Sequence, residues 1–264
     1  MTILQAIVYG IVQGIAEFLP ISSTAHLVLL PWFLGWQDPG VFFDVALHLG
    51  TAAAVIIFFF KDWVSLILSG FTDIKSKQAK LFWLLVVATI PGALFGVFLD
   101  KYMETFRSPI LIGIMLIIMG IILFYADKIG RRNIELEDMS LKNSIIIGFA
   151  QVLAIIPGVS RSGITMSVGR FLGIERDSIA KFTFLMSTPI ILGDALYHLM
   201  KVLKTGSETI SIAPFAVAVL TSAVVGLLSI KFLLSYLKKR GFKIFAIYRF
   251  ILGAGVIAAS FFIK

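Results

Sequence analysis

The chain has 264 residues, of which 59% are hydrophobic and 14% charged, with a mean hydropathy of +0.99 and a formal net charge of +8. A soluble domain of this length could not bury so much apolar surface in its core, so the composition predicts an integral membrane protein. Cysteine is absent, which excludes a disulfide framework, a thiolate zinc site and a cysteine nucleophile, and the Lys and Arg residues lie in short clusters between apolar runs rather than along a nucleic-acid-binding face.

The apolar segments predict two interrupted regions and six membrane crossings. In chain order these are an interrupted region at 3–36, crossings at 41–60, 81–99 and 110–126, a second interrupted region at 144–173, and crossings at 179–200, 212–234 and 244–263. Each crossing is long enough to span a hydrocarbon core of about 30 Å as a helix. No Lys or Arg precedes the first apolar stretch, so we expect no signal peptide and expect this segment to remain in the mature protein.

Both interrupted regions carry Pro, Ser and Gly near their midpoints. These breaks leave half-helices of only about 12 to 18 residues, so we expect two re-entrant helix-loop-helix hairpins that enter and leave by the same face. Irregular backbone at membrane depth must line a wet cavity or be buried in protein, because unpaired N–H and C=O groups are costly in lipid. The two breaks are therefore where a functional site is expected.

The distribution of positive charge predicts the orientation. The loops at 61–80, 127–143 and 231–243 are richer in Lys and Arg than the loops at 100–108 and 201–210, and cytoplasmic loops carry the excess of positive charge. Six crossings place the three richer loops on one side of the membrane. Both termini are then predicted to lie outside.

The two breaks are also related in sequence. The stretch 10–16 resembles 148–154, with Gly, Gln and Ala at matched positions, and each stretch leads to a proline followed by two serines. Three crossings follow each break, and this odd number inverts the second half relative to the first. The sequence therefore predicts one all-α integral membrane domain over 1–264, an inverted-topology repeat with halves at 1–130 and 140–264, in which the two breaks meet.

The first break concentrates polar side chains in an apolar segment. Gln13 and Glu17 are four residues apart and share a helix face, and Ser22, Ser23 and His26 follow shortly after. Ionisable groups inside a membrane usually mark function. The alternative is that the hydroxyl residues cap a half-helix while Glu17 and His26 form a structural pair.

The second break has the composition of an anion-binding turn. Arg161 is a permanent planar cation suited to bidentate phosphate contact. Gly163 lets the backbone approach a ligand closely, and the hydroxyls of Ser160, Ser162 and Thr165 lie in the same short stretch. Free N–H groups at the start of the following half-helix favour an oxyanion there.

Together the breaks contain the groups that phosphoryl transfer needs. Arg161 would neutralise phosphate charge in the transition state. Ser23 could attack phosphorus with His26, three residues later, as its base. A water molecule activated by His26 or by Glu17 fits the same residues, and the sequence leaves both nucleophiles open.

Two runs make a resemblance specific. EFLPISSTAH at 17–26 and PGVSRSGIT at 157–165 resemble the two signatures of the undecaprenyl-diphosphate phosphatases of the bacitracin-resistance family, and the likeness extends to FDVALHLG at 43–50 and IYRF at 247–250. The resemblance implies a hydrolase of the bacterial cytoplasmic (inner) membrane that removes the terminal phosphate of undecaprenyl diphosphate at the outer face, recycles the lipid carrier for peptidoglycan synthesis and confers bacitracin resistance. A secondary transporter or flippase for a lipid phosphate or small anion has the same plan and is the alternative.

The expected site residues follow from both arguments. The predicted catalytic residues are Glu17, Ser23, His26 and Arg161, and the predicted substrate-binding residues are Gln13, Ser22, Ser160, Ser162, Gly163 and Thr165. The resemblance implies a divalent cation, Mg²⁺, for which Glu17 is the expected protein ligand beside substrate phosphates and water. Gln13 departs from the second acidic residue common in the family and cannot supply charge to a metal. A polyprenyl diphosphate and membrane lipid are the expected partners, nucleic acid is not, and a homodimer is compatible with this plan.

Two further groups have open interpretations. His48 follows Asp44 by one helical turn and is either a supporting pair near the cavity or a buried structural pair. Arg249, beside Tyr248, either contacts substrate or snorkels to the interface. Both groups lie inside predicted crossings.

Overall fold

The computed structural model describes residues 1–99, 104–131, 133–205 and 212–263. These residues are almost entirely helical: α1 Ile3–Ala16, α2 Ser23–Leu34, α3 Val41–Phe58, α4 Phe60–Thr72, α5 Lys77–Leu99, α6 Pro109–Ile129, α7 Leu141–Ala150, α8 Arg161–Phe171, α9 Arg176–Thr205, α10 Ile212–Leu237 and α11 Lys243–Ala259. Short 3₁₀ turns occupy Glu104–Phe106, Leu136–Asp138 and Gln151–Ile155. The predicted all-α architecture is confirmed for this part of the chain.

Five helices in these ranges are long and apolar enough to cross a membrane, namely α3, α5, α6, α9 and α10. They coincide with five of the six predicted crossings. The sixth, α11, has 17 residues, which is at the lower limit for spanning a bilayer. Five apolar spanning helices agree with a multi-pass membrane protein, and the sixth crossing stays a prediction. Parts of the predicted loops at 100–108 and 201–210 lie outside the described residues.

The predicted loop 61–80 contains a helix that the sequence analysis did not find. Helix α4 spans Phe60–Thr72 and begins directly after a kink at Phe59. One side packs on α5, where the Trp83 indole N–H donates to the Gly70 carbonyl at 3.2 Å, while Phe60, Leu68 and Phe71 are exposed. With 13 residues, α4 is too short for a crossing. One packed side and one exposed apolar side are typical of a helix lying along a membrane interface.

The two breaks have the same local geometry. Ser22 and Ser160 have φ angles of 77° and 73° and are the non-glycine residues with positive φ among those described. Each is the N-cap of the next half-helix, and its hydroxyl accepts a hydrogen bond from a backbone N–H, that of Ala25 for Ser22 and that of Gly163 for Ser160. The left-handed conformation turns the chain sharply, and the cap lets a new helix start at once.

The first helix of each break packs closely against a crossing. α1 packs on α10, where a Cβ on Gly10 would come within 2.8 Å of the Ala218 carbonyl oxygen. α7 packs on α5, where a Cβ on Gly148 would come within 2.6 Å of the Ala88 carbonyl oxygen. Backbones this close are characteristic of helix pairs in membranes, where small residues replace the hydrophobic driving force with direct packing.

Polar contacts group the loops at two ends of the bundle. At one end the Lys77 ammonium lies 2.7 Å from the Glu137 carboxylate, and Asp127 accepts hydrogen bonds from Arg176 and from the backbone of Phe242. The segments near 77, 127–137, 176 and 242 therefore share one end, which agrees with the predicted grouping of the cation-rich loops. At the start of α3 and α6, Arg107 bridges Asp38 at 2.8 Å and Asp44 at 3.5 Å.

Candidate active site

A cavity of about 330 Å³ lies where the two breaks meet. Its polar lining comes from the breaks, from α3 and from α9: Glu17, Ser23, Thr24, His48, Gln151, Ser160, Arg161, Ser162, Asp194 and Tyr197. Its apolar lining comes mainly from α5, α9 and the 3₁₀ turn: Gly92, Ala93, Gly96, Val97, Val152, Ala154, Ile155, Pro189, Ile190, Ile191 and Gly193. A pocket with polar groups at two helix breaks and apolar walls suits an amphiphile with a charged head.

Glu17 is the centre of the polar lining. Its carboxylate is buried, with 5% of the side chain exposed, and forms an ion pair through Oε1 with the Arg161 guanidinium. Oε2 accepts hydrogen bonds from the Ser23 hydroxyl at 2.7 Å and from the Gln13 amide at 3.1 Å. It also lies 3.3 Å from His48 Nε2. Because a buried charge must be paired and hydrogen-bonded, these four groups fix the position and ionised state of Glu17.

The two breaks touch directly. The Arg161–Glu17 ion pair crosses from the second break to the first. The Gly158 N–H donates to Ser22 Oγ and the Ser162 hydroxyl donates to the Leu19 carbonyl, both at 3.2 Å. The prediction that the second half brings its break to the first is therefore confirmed at the level of contacts.

Two helix N-termini face this cavity. α2 begins at Ser23 and α8 begins at Arg161, and residues from the first turn of both helices line the cavity. The first N–H groups of a helix have no intrahelical acceptor and carry the positive end of its dipole. With the Arg161 guanidinium in the same lining, the two helix starts give the cavity the groups that favour an anion.

Arg249 forms hydrogen bonds with the backbone of both breaks. The side chain is fully buried, and its guanidinium donates to the carbonyls of Pro20 at 3.1 Å, Gly158 at 2.5 Å, Val159 at 3.1 Å and Leu116 at 3.3 Å. These carbonyls belong to irregular backbone and to one helix, and the planar guanidinium can serve all of them at once. The snorkelling interpretation of Arg249 is therefore wrong, because the residue is a buried link between the breaks.

Arg249→Met is expected to lower the thermal unfolding temperature of the purified protein. The substitution keeps the volume but leaves several buried carbonyls without donors, at a cost of about 1–3 kcal/mol for each. Thermal unfolding in detergent measures the loss, with the exposed neighbour change Ile251→Met as the matched control. An Arg249→Met protein that unfolds at the temperature of the Ile251→Met protein would contradict this role.

Comparison with known proteins identifies the family. A family model described as bacitracin resistance protein BacA matches residues 6–255. The chain is 53% identical over 259 residues to a protein of Moorella thermoacetica named undecaprenyl-diphosphatase, with 98% of each chain covered. Proteins with the same name from Caldicellulosiruptor bescii and Elusimicrobium minutum are 50% and 46% identical, with 98% of this chain and 97% and 99% of theirs covered. The chain belongs to the BacA family.

Within this BacA-family chain, the cavity brings together several of the residues predicted from sequence. Glu17, Ser23, Arg161, Ser160 and Ser162 all line it. The Ser160 and Ser162 hydroxyl oxygens are 3.1 Å apart. The structure therefore brings these five residues together in one cavity, and their contact with a substrate stays a prediction.

The remaining predicted residues lie outside the cavity lining and support it. The Ser22 hydroxyl accepts from the Ala25 N–H at the start of α2, and the Gly163 N–H donates to the Ser160 hydroxyl at the start of α8. Gln13 is fully buried and donates to Glu17. The Thr165 hydroxyl donates to the Arg161 carbonyl at 2.7 Å and lies 3.0 Å from the Thr183 hydroxyl. Their geometry indicates that they hold the breaks in place, while direct substrate contact stays a prediction.

His26 does not face Ser23 in this structure. Its Nδ1 lies 2.7 Å from the Ser22 carbonyl oxygen, one helical turn back, and its Nε2 lies 2.6 Å from the Tyr248 hydroxyl. A carbonyl accepts only, so Nδ1 carries the hydrogen, and Nε2 can accept from Tyr248. One ring nitrogen is therefore engaged by the Ser22 carbonyl and the other by Tyr248 of α11. This conformation gives no support to His26 as the base for Ser23.

His48 is the histidine that reaches the centre of the site. It extends from α3 into the cavity, and its Nε2 lies beside Glu17. The sequence offered one signal, an ionisable group inside an apolar crossing. His48 lies at the cavity, as one interpretation expected, but its ion-pair partner is Glu17, because the Asp44 carboxylate pairs with Arg107.

The residues around Glu17 do not fit a cation held by the protein alone. Arg161 occupies one carboxylate oxygen, and Ser23, Gln13 and His48 surround the other. Among the residues that the structure describes, no group of three His, Asp or Glu side chains could hold a metal ion. Hard cations need several oxygen ligands, so Mg²⁺ at Glu17 stays a prediction.

Proposed function

We propose that this chain is an undecaprenyl-diphosphatase that hydrolyses undecaprenyl diphosphate to undecaprenyl phosphate and inorganic phosphate. The observation that carries the proposal is the buried Arg161–Glu17–Ser23 cluster between two helix N-termini. Membership of the BacA family and the undecaprenyl-diphosphatase relatives support it. An anion carrier would also need Arg161, but it gives no role to a serine hydroxyl held against a carboxylate.

The substrate head group would occupy the polar part of the cavity. A diphosphate carries charge that Arg161 and the N–H groups at the starts of α2 and α8 can neutralise. The polyprenyl chain would lie along the apolar walls that α5 and α9 provide near Gly96 and Gly193, where a side chain would meet nothing within 4 Å. The lining residues that the structure describes all come from one chain, and the possible homodimer stays a prediction.

The chemistry follows from the Ser23–Glu17 contact. Ser23 Oγ forms a bond to the terminal phosphorus and gives its proton to Glu17 Oε2, while the bond from that phosphorus to the bridging oxygen breaks and undecaprenyl phosphate leaves with the electron pair. Water then attacks the phosphoserine, Ser23 Oγ leaves and recovers a proton from Glu17, and inorganic phosphate is released. Arg161 neutralises the charge on phosphorus oxygens in both steps. Water activated directly by Glu17 gives the same products.

The test is phosphate release by the purified protein in detergent from undecaprenyl diphosphate or its shorter analogue farnesyl diphosphate. Wild-type protein is expected to release phosphate, and substrate labelled in the terminal phosphate is expected to leave label on Ser23 after an acid quench. Ser23→Ala should lose both signals, whereas Ser260→Ala, a serine at the far end of α11, should keep them. Absence of released phosphate with the wild-type protein refutes the function; release without label points to water as the nucleophile.

The architecture proposed from sequence adds orientation to this function. We infer six crossings, two re-entrant hairpins and an inverted repeat over 1–130 and 140–264, with the active site toward the outside of the bacterial inner membrane. The matching caps at Ser22 and Ser160 and the matching contacts of α1 with α10 and α7 with α5 support the repeat. The cavity lies along the second halves of α5 and α9, away from the cation-rich loops at their starts, and this supports an outward-facing site.

Single cysteines are expected to label according to this orientation. Because the chain has no native cysteine, Lys75→Cys, Lys238→Cys and Gln37→Cys each introduce one reactive site at an exposed position. In intact cells a membrane-impermeant maleimide should react with Cys at 37 and not with Cys at 75 or 238. Permeabilised cells should label all three. Labelling of position 75 or 238 from outside would overturn the orientation.

A further inference from the structure

His48 contacts Glu17 but has no part in the reaction steps proposed above. Its Nε2 lies 3.3 Å from Glu17 Oε2, the same oxygen that accepts the Ser23 hydroxyl. We propose that His48 is a positioning residue for the reaction, which acts through Glu17 and keeps that carboxylate paired when Arg161 turns to the substrate. The inference rests on the proposed hydrolase function.

The hydrogen bonds of the ring define its charge. His48 Nδ1 lies 2.7 Å from the Asp44 carbonyl oxygen, which only accepts, so Nδ1 carries a hydrogen. With a hydrogen already on Nδ1, an ion pair between Nε2 and Glu17 Oε2 at 3.3 Å requires the imidazolium form. In the proposed role His48 carries that charge and lies beside Oε2, while Arg161 pairs with Oε1.

A second cation beside Glu17, in addition to Arg161, would be needed once the substrate binds. Arg161 is paired with Glu17 in the structure, yet it is also the side chain that must meet the phosphate. When the substrate draws the guanidinium away, the buried Glu17 carboxylate loses a partner, and an unpaired buried carboxylate is strongly disfavoured. His48 stays in place and keeps Glu17 ionised and directed at Ser23.

The position of His48 is fixed by its own helix. The Thr51 hydroxyl donates to the His48 carbonyl at 2.9 Å. The Ser222 hydroxyl on α10 donates to the Leu47 carbonyl at 2.8 Å, and Gly50 packs against the backbone of α10. Because α3 is held on α10 at Leu47 and Gly50, the residues on either side of the ring, His48 provides a rigid contact for Glu17 rather than a mobile one.

The other charged groups nearby do not replace it. The Asp44 carboxylate interacts with Arg107 rather than with the ring, and Asp194, which also lines the cavity, pairs with His198. His26 has both nitrogens engaged at Ser22 and Tyr248. Among the described residues that contact Glu17, His48 is the one that can stay cationic after Arg161 leaves.

The experiment compares wild-type, His48→Gln and His48→Ala proteins in detergent, with initial rates of phosphate release from farnesyl diphosphate. We expect His48→Ala to lower kcat by about 100-fold, since a misplaced reacting group costs about this factor, with KM within about twofold of wild type because the phosphate contacts remain. His48→Gln should fall between the two, because its amide can donate to Glu17 but carries no charge. Added imidazole should restore His48→Ala by about tenfold or more.

Two controls separate this role from a structural one. Ser23→Ala lacks a hydroxyl in the same cavity, and His198→Ala lacks a histidine outside the lining; imidazole should accelerate neither. Wild-type kcat in His48→Ala or His48→Gln overturns the proposal, as does a His48→Ala rate loss that imidazole leaves unchanged in a protein of wild-type thermal stability. If His48→Ala does not fold, His48→Gln decides through its kcat. An inactive wild-type protein would instead refute the proposed function.

Discussion

Arg161→Ala is expected to lower kcat/KM for phosphate release by about 1,000-fold or more, the range found when an arginine that neutralises phosphoryl charge is removed. The side chain lies between two helix starts and already pairs with a carboxylate across the cavity, so it is placed to exchange that partner for a phosphate. Both parameters should change, KM upward because ground-state phosphate contacts are lost and kcat downward because the transition state gains charge at the same oxygens.

Arg161→Lys tests whether a positive charge alone is sufficient at this position. Arg161→Lys keeps the charge but loses the planar fork, and it should recover binding more than turnover. Arg240→Ala, at an exposed arginine in the loop before α11, is the matched control and should behave as wild type. Initial rates over a range of substrate concentrations measure both parameters. An Arg161→Ala protein with wild-type kcat would remove Arg161 from the chemistry.

Glu17→Gln is expected to lower kcat by about 100- to 10,000-fold, the usual contribution of a positioned base. The amide has the size of the carboxylate and can still accept from the Ser23 hydroxyl, but it cannot take its proton. KM should not rise, because Arg161 is released from its ion pair with Glu17 and becomes free for the phosphate. Glu17→Gln and Arg161→Ala therefore lower the rate with opposite effects on KM.

Titration calorimetry with a non-hydrolysable diphosphate analogue checks the second half of this prediction. Glu17→Gln should bind the analogue at least as tightly as wild type, and Glu17→Asp, which keeps the charge on a shorter side chain, should retain more activity than Glu17→Gln. Weaker binding by Glu17→Gln would show that Glu17 contacts the substrate directly, and an unchanged kcat would exclude it as the base.

The two breaks were predictable from sequence because they depend on local composition. Pro, Ser and Gly inside an apolar run cannot continue a helix, and a membrane-embedded arginine needs an anionic partner. That partner was predicted to be a phosphate, and the Arg161–Glu17 ion pair was not predicted because it depends on how the two breaks meet. The left-handed serines were not predictable, since nothing in the two motifs distinguishes a serine in that conformation from one in an ordinary turn.

The two histidines show what sequence spacing leaves out. His26 lies three residues after Ser23, which suggested proximity, yet its ring turns back to the Ser22 carbonyl and across to Tyr248. His48 lies far from the breaks in sequence but reaches Glu17 because the packing of Gly50 and Ser222 sets the rotation of α3. The direction of a side chain from a helix depends on tertiary packing that no single segment encodes.

Arg249 and α4 were missed for other physical reasons. An arginine near the end of a crossing has the same sequence signature whether it snorkels or turns inward. Only the three-dimensional position of the two breaks shows which backbone carbonyls lack a helical hydrogen-bond donor and can accept from Arg249. Helix α4 is short and mixes polar with apolar residues, so it lacks the length that identifies a crossing.

The Arg249 contacts also limit how this bundle can move. One guanidinium is bound at the same time to carbonyls of the first break, the second break and α6. A motion that separated the two breaks would break these hydrogen bonds at a fully buried side chain. We therefore expect the two breaks and α6 to move together, and any widening of the cavity to come from its other walls, α5 and α9.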